Sequence, residues 1–123
     1  MQTMTRVKIC GITNWEDARL SIDLGASALG FNFFAASPRS ISPAAAWNII
    51  RRLPPFVEPV GVFVNWPPAI VRPLARALRL HTVQLHGSES PAQVAELART
   101  HRVIKAIQVR RELRASGLSK YRH

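Results

Sequence analysis

Five short apolar runs, each followed by a segment with helix signals, constrain this chain more than any single motif does. The runs lie near residues 7–10, 28–33, 60–64, 82–86 and 103–109, are rich in Val, Ile, Leu and Phe, and are bounded by Gly, Pro, Ser and Asn. Continuous apolar strands alternating with amphipathic helices predict a parallel sheet covered by helices, with right-handed crossovers. The expected order is β-α-β-α-β-α-β-α-β. Parallel strands point their C-terminal ends the same way, which places Cys10, the loop around Arg39, Asn65 and His86 on one face. That is where α/β folds carry their chemistry.

Local signals set the element ends. Thr13 and Glu16 are spaced as a capping box for a helix over 15–24, with Glu16 and Asp17 in its first turn and Gly25 as its stop. Ser42-Pro43 reads as an N-cap with proline at the first helical position, and Ser90-Pro91-Ala92-Gln93 as a second capping box. The three prolines in 53–59 read as a connection. Pro73 inside the helix expected over 68–78 predicts a kink or a later start, because it removes a backbone donor. The last segment, from Arg110, is expected to form a basic tail with one short helix ending near Gly117.

With 123 residues, the chain has enough material for one core and too little for two. A single cysteine excludes an internal disulfide framework and fits a reducing compartment. The polar first residues leave no room for a signal-peptide core, and no apolar run reaches membrane-spanning length, so a cytoplasmic protein without membrane contact is expected. The formal net charge of +10 favours phosphate-bearing partners. Fourteen of the seventeen basic residues are arginines scattered over helix-like segments, which a solvated face explains, and the tail alone holds five basic residues against one acid. The chain lacks the aromatic-basic interleaving of a nucleic-acid module, so no nucleic-acid partner is expected.

Taken singly, the polar residues of the expected face have bland readings. A lone cysteine such as Cys10 is more often a small buried apolar residue than a catalyst. His86 before Gly87 reads as a strand-end hydrogen-bonder, and Arg39 after Pro38 as a solvated charge or an anion contact. Gln84, Lys8 and Lys105 fall within strands and need partners there. Together they suggest a polar, partly cationic pocket suited to a small anion. No Gly-rich phosphate loop, metal-ligand cluster or nucleophile triad is present in the sequence.

In order and spacing, five segments carry a resemblance. Lys8-Ile9-Cys10-Gly11-Ile12-Thr13, Gly30-Phe31-Asn32-Phe33 leading to Ser37-Pro38-Arg39-Ser40-Ile41-Ser42, Val60-Gly61-Val62-Phe63-Val64-Asn65, Val83-Gln84-Leu85-His86-Gly87 and Ile104-Lys105-Ala106 resemble phosphoribosylanthranilate isomerase of tryptophan biosynthesis, over about residues 6–109. The resemblance implies a (βα)8 TIM barrel, of which residues 1–109 would form (βα)4 plus a fifth strand, followed by the tail at 110–123. It implies an Amadori rearrangement of N-(5-phosphoribosyl)anthranilate, needing no cofactor, on a small anionic phosphosugar-anthranilate substrate. Cys10 would be the general base, helped toward its thiolate by a neighbouring cation such as Lys8. Arg39 would hold the anthranilate carboxylate, with Gln84 and His86 lining the pocket. The family's general acid, an aspartate ending the sixth strand, and its phosphate loops after strands seven and eight have no counterpart in these residues. The chain by itself is therefore expected to be weak or inactive as an isomerase. Its open strands and exposed barrel interior are expected to drive self-association or pairing with a C-terminal half. The rival reading is a non-catalytic half-barrel that pairs with another chain.

Overall fold

A computed structural model describes residues 4–112 and 114–122. Its elements are β1 (Lys8–Cys10), α1 (Trp15–Asp23), β2 (Ala28–Asn32), α2 (Pro43–Ile50), β3 (Glu58–Phe63), α3 (Pro68–Ala77), β4 (Thr82–Leu85), α4 (Pro91–Ala98) and β5 (Arg102–Lys105). The five strands form one parallel sheet in the order β1-β2-β3-β4-β5. Each crossover thus advances by one strand in the same direction. A doubly wound sheet reverses direction at a switch point, whereas this one keeps its helices on a single side, as a barrel does.

Side chains alternate across the sheet, so the register separates two faces. Leu29, Phe31, Phe63, Val83 and Leu85 are fully buried against Ala18, Ala46, Ile49, Val71, Ala75, Val94 and Leu97 on the helix side. On the other face the register aligns Cys10 with Gly30, Val60, Thr82 and Arg102, and one step on, Asn32 with Val62, Gln84 and Ile104. There, Lys8 on β1 donates from Nζ to Gln84 Oε1 on β4. Three strand spacings on a flat sheet are roughly 14 Å, farther than these two side chains can close together. The bond therefore requires a sheet curled into an arc, with Lys8 bridging its concave side. Val60 and Val62 are buried on that side, outside the helix-side cluster.

The helix starts follow the sequence signals at Ser42, whose hydroxyl accepts from Ala45 N–H at 3.2 Å, and at Ser90, which forms the full capping box with Gln93. The first cap differs from expectation. Asn14, not Thr13, caps α1, its Oδ1 accepting from Asp17 N–H at 2.7 Å. Both residues can cap a helix, and asparagine is the better of the two. β3 begins earlier than expected, at Glu58, because Pro59 sits where β3 pairs with β2 before its pairing with β4 begins at Val60. A proline at a strand entry costs few ladder bonds. α3 starts at Pro68 and continues through Pro73, and β5 ends at Lys105, short of the expected 109. The tail forms two 3-10 turns, Ala115–Gly117 and Ser119–Tyr121, rather than one helix. It folds back against α4 and the loop before it, with the Tyr121 hydroxyl donating to the Glu89 carbonyl at 3.2 Å. No helix among the described residues is long and apolar enough to cross a membrane.

Candidate active site

The strand C-termini converge on Cys10, which is exposed at the end of β1 and not buried as a small core residue. The chain leaves β1 through Gly11 at φ +82°, a left-handed conformation that suits glycine. The Gly11 and Ile12 N–H groups both donate to the Gly30 carbonyl at 3.0 Å, which ties this turn to β2. The side chain of Arg39 lies directly over Gly11: a Cβ placed there would meet Arg39 Cδ at 2.7 Å and Nε at 3.1 Å. The loop that carries Arg39 is set by its own polar contacts. Asn32 Oδ1 accepts from Phe34 N–H at 2.9 Å, Ser37 Oγ accepts from Arg39 N–H at 3.2 Å, and Ser40 bridges to Asn32. Arg39 forms no ion pair among the described residues, which leaves its guanidinium available for a carboxylate.

Gly30 floors the same site. A Cβ at residue 30 would lie 2.8 Å from Cys10 Sγ and 3.2 Å from Lys8 Cε, so thiol and lysine stem share the space above it. The Lys8 ammonium is held away on Gln84, whose Nε2 in turn lies 3.1 Å from His86 Nδ1. Lysine can only donate, so Gln84 presents its oxygen to Lys8 and its amide to His86. That assignment makes His86 Nδ1 the acceptor and puts the proton of the neutral ring on Nε2. Lys8, Gln84 and His86 thus form one polar chain across the concave side, ending at an exposed imidazole. His86 also borders a cavity of about 680 Å³ lined by Gly87, Ser88, Lys105, Ala106, Ile107, Gln108 and Tyr121.

Two residues expected on this face serve the frame instead. Asn65, at φ +57°, turns its carboxamide onto the next loop, where Oδ1 accepts from Ser88 N–H at 2.8 Å. A Cβ at Gly87 would come within 2.4 Å of that oxygen. Lys105 borders the cavity beside His86, but its charge is taken up by Glu89 at 2.9 Å, both side chains nearly fully buried. Lys105 also donates to the carbonyls of Gly87 and Ala106 at 2.6 and 3.0 Å.

Glu89 is the residue that sequence reasoning missed. It is 2% exposed and accepts from Asn65 N–H at 2.9 Å, from Gly87 N–H and from Lys105. Burial pushes its carboxyl upward, but the Asn65 and Lys105 hydrogen bonds, its own backbone N–H and the Lys105 charge outweigh that and hold it below the ordinary glutamate value. Its position, between Ser88 and a Ser-Pro cap, looks like a solvated loop. The usable signal was the mid-strand lysine that needed a partner.

The comparisons with known proteins bear on this arrangement. A family model described as N-(5'phosphoribosyl)anthranilate (PRA) isomerase matches residues 7–123. The N-(5'-phosphoribosyl)anthranilate isomerase of Pelobacter propionicus is 53% identical over 119 residues, which cover 97% of this chain and 56% of that protein. The crystal structure of the Thermus thermophilus phosphoribosyl anthranilate isomerase superposes with a TM-score of 0.89 at 45% identity, over 94% of this chain and 58% of that one. A phosphoribosyl anthranilate isomerase solved in complex with reduced 1-(o-carboxyphenylamino)-1-deoxyribulose 5-phosphate superposes at 0.85 with 50% identity, over 87% of this chain and 55% of that one. The chain spans about half the length of the curated relatives it matches. The resemblance and the partial barrel read from the sequence are both borne out, and the family match continues past Val109 into the tail.

Proposed function

The chain belongs to the N-(5'-phosphoribosyl)anthranilate isomerase family, and from that premise we propose that its strand C-termini supply one side of the active site for isomerising N-(5'-phosphoribosyl)anthranilate to 1-(2-carboxyphenylamino)-1-deoxyribulose 5-phosphate. The reaction is an aldose–ketose rearrangement. A base takes the proton from the ribose C2 while an acid opens the sugar ring, and neither step calls for a metal or organic cofactor. Cys10 is the base in this reading, since it is exposed at the strand end, where a substrate carbon can approach it. Arg39, without an ion pair among the described residues and packed over Gly11, grips the anthranilate carboxylate. Gln84 and His86 line the adjoining wall, joined by the 3.1 Å contact between Gln84 Nε2 and His86 Nδ1.

The observation that carries the reading is that Cys10 Sγ lies against Gly30 while Arg39 lies over Gly11, the residue after Cys10, so base and anion grip share one strand end. An anion grip there holds the substrate by its carboxylate and presents one of its carbons to sulfur. The acid and the phosphate grip are assigned to strands six to eight of the family barrel. By itself the chain then carries the base without its acid, and its turnover is weak or nil.

The test is isomerase turnover by the chain alone and mixed with a polypeptide bearing the remaining family strands. The mixture is expected to turn over, and Cys10→Ala to lower kcat by about 10²–10⁴-fold. Arg39→Ala is expected to act mainly on KM, raising it roughly tenfold or more. A mixture that folds and binds the substrate yet shows no turnover would point instead to a non-catalytic half-barrel.

A further inference from the structure

The sheet end opposite Cys10 carries a second concavity of different chemistry. The C-terminus of α3 meets the N-terminal ends of β4 and β5 there. A groove of about 540 Å³ is lined by Arg76, Arg79, Leu80, His81, Thr100 and His101. It adjoins a second hollow of about 380 Å³, which shares His81, Thr100 and His101 and adds Glu58, Ala98 and Arg102. Three guanidinium groups and two imidazoles therefore border two adjoining hollows. Its single carboxylate, Glu58, already accepts from the Thr82 hydroxyl at 2.8 Å.

These cations are poorly compensated. Arg72, just outside, is answered by Glu96 at 3.5 Å. Arg76, Arg79 and Arg102 form no ion pair among the described residues. The carbonyl end of α3 offsets part of the charge of Arg76 and Arg79, but Arg102, on β5, has no such offset. The Arg79 guanidinium lies over the Trp47 ring, 5.5 Å from the centroid, a cation–π contact that favours its position beside the groove. His101 registers the local field. Burial first, then Arg72, Arg76 and His81, hold its pKa below the ordinary histidine value.

We propose that this groove binds a small, multiply phosphorylated anion, with Arg76, Arg79 and Arg102 as its cationic contacts and His81 and His101 as further donors. The cations are spread along two adjoining hollows, so a lone phosphate reaches only some of them while a chain of phosphates spans the set. The site lies at the opposite end of the strands from Cys10 and is separate from any grip on the isomerase substrate.

The probe is inorganic tripolyphosphate, titrated calorimetrically into the 123-residue chain at fixed ionic strength, beside orthophosphate. Tripolyphosphate is expected to bind more tightly than orthophosphate. The double variant Arg76→Gln/Arg79→Gln is expected to weaken it about tenfold. Arg102→Gln, which leaves the Trp47 stack intact, should weaken it several-fold. The control Arg110→Gln/Arg111→Gln removes the same charge from the tail and should change affinity by less than about twofold. In parallel, the His101 C2 proton followed by NMR should titrate at higher pH when tripolyphosphate is bound, since the anion reverses the repulsion on its ring. Equal weakening by the tail variant, equal binding of orthophosphate, or an unmoved His101 titration would each overturn the site and leave only diffuse attraction to a basic protein.

Discussion

A single methyl group added at residue 30 would press on the Cys10 thiol and on the lysine that bridges the arc. Gly30→Ala is therefore expected to lower stability by about 1–3 kcal/mol, from overpacking in a space with backbone behind it. It should also change the rate at which Cys10 reacts with an alkylating agent, which a remote glycine-to-alanine control such as Gly117→Ala would leave alone. Gly11→Ala meets a second obstacle, φ of +82°, worth about 1–2 kcal/mol for a residue with a Cβ. Denaturant melts of both variants check these values, and wild-type stability in either would remove the steric account of the site. At this scale the sequence was legible where alternation dictates direction. Lys8 and Gln84 fall inside strands, facing away from the helices, so their need for polar partners could be read in advance. Asn65 could not be placed this way, because its φ of +57° turns it out of the strand pattern and onto the next loop.

Among the elements, the loops after β3 and β4 and the end of β5 are joined by one buried carboxylate. Glu89 receives the Asn65 and Gly87 N–H groups and the Lys105 ammonium, while its carbonyl receives Tyr121 from the tail. Removing its charge leaves Lys105 buried without a counter-ion, so Glu89→Gln is expected to cost about 3 kcal/mol or more. Its pKa is lower folded than unfolded. The stability it contributes is thus present above the ordinary glutamate range and is lost as pH falls through the depressed folded value. Urea midpoints measured from neutral pH downward should decline in the wild type over that interval, with the Glu89→Gln variant lacking this component of the slope. Parallel profiles for the two proteins would show that Glu89 does not carry it. The strands and the Ser42 and Ser90 helix starts were readable from apolar runs and caps, which depend on near neighbours. Glu89 was not, since its partners lie 24 and 16 residues away. The end of β5 was overestimated because apolar residues continue to Val109 after the pairing with β4 stops.

For the whole molecule, β1 and β5 each have one strand neighbour among the described residues, and Ile9, Ile104 and the thiol of Cys10 are exposed. Unpaired parallel edges and uncovered apolar side chains favour association. We expect the 123-residue chain alone to sediment as a dimer or larger species, or to be captured by a polypeptide carrying the remaining family strands. A monodisperse monomer at micromolar concentration would refute that expectation. The strand order has a further consequence, which concerns time rather than space. Each strand from β2 to β5 pairs with the one made just before it, so none of these four pairings waits for a distant segment to be synthesised. A chain emerging from the ribosome can add βα units in the order in which they are translated. The bridge from Lys8 to Gln84 is different in kind: it joins residues 76 apart and can close only after the fourth strand has arrived. Its closure would mark the moment at which a growing ribbon acquires the curvature of a barrel.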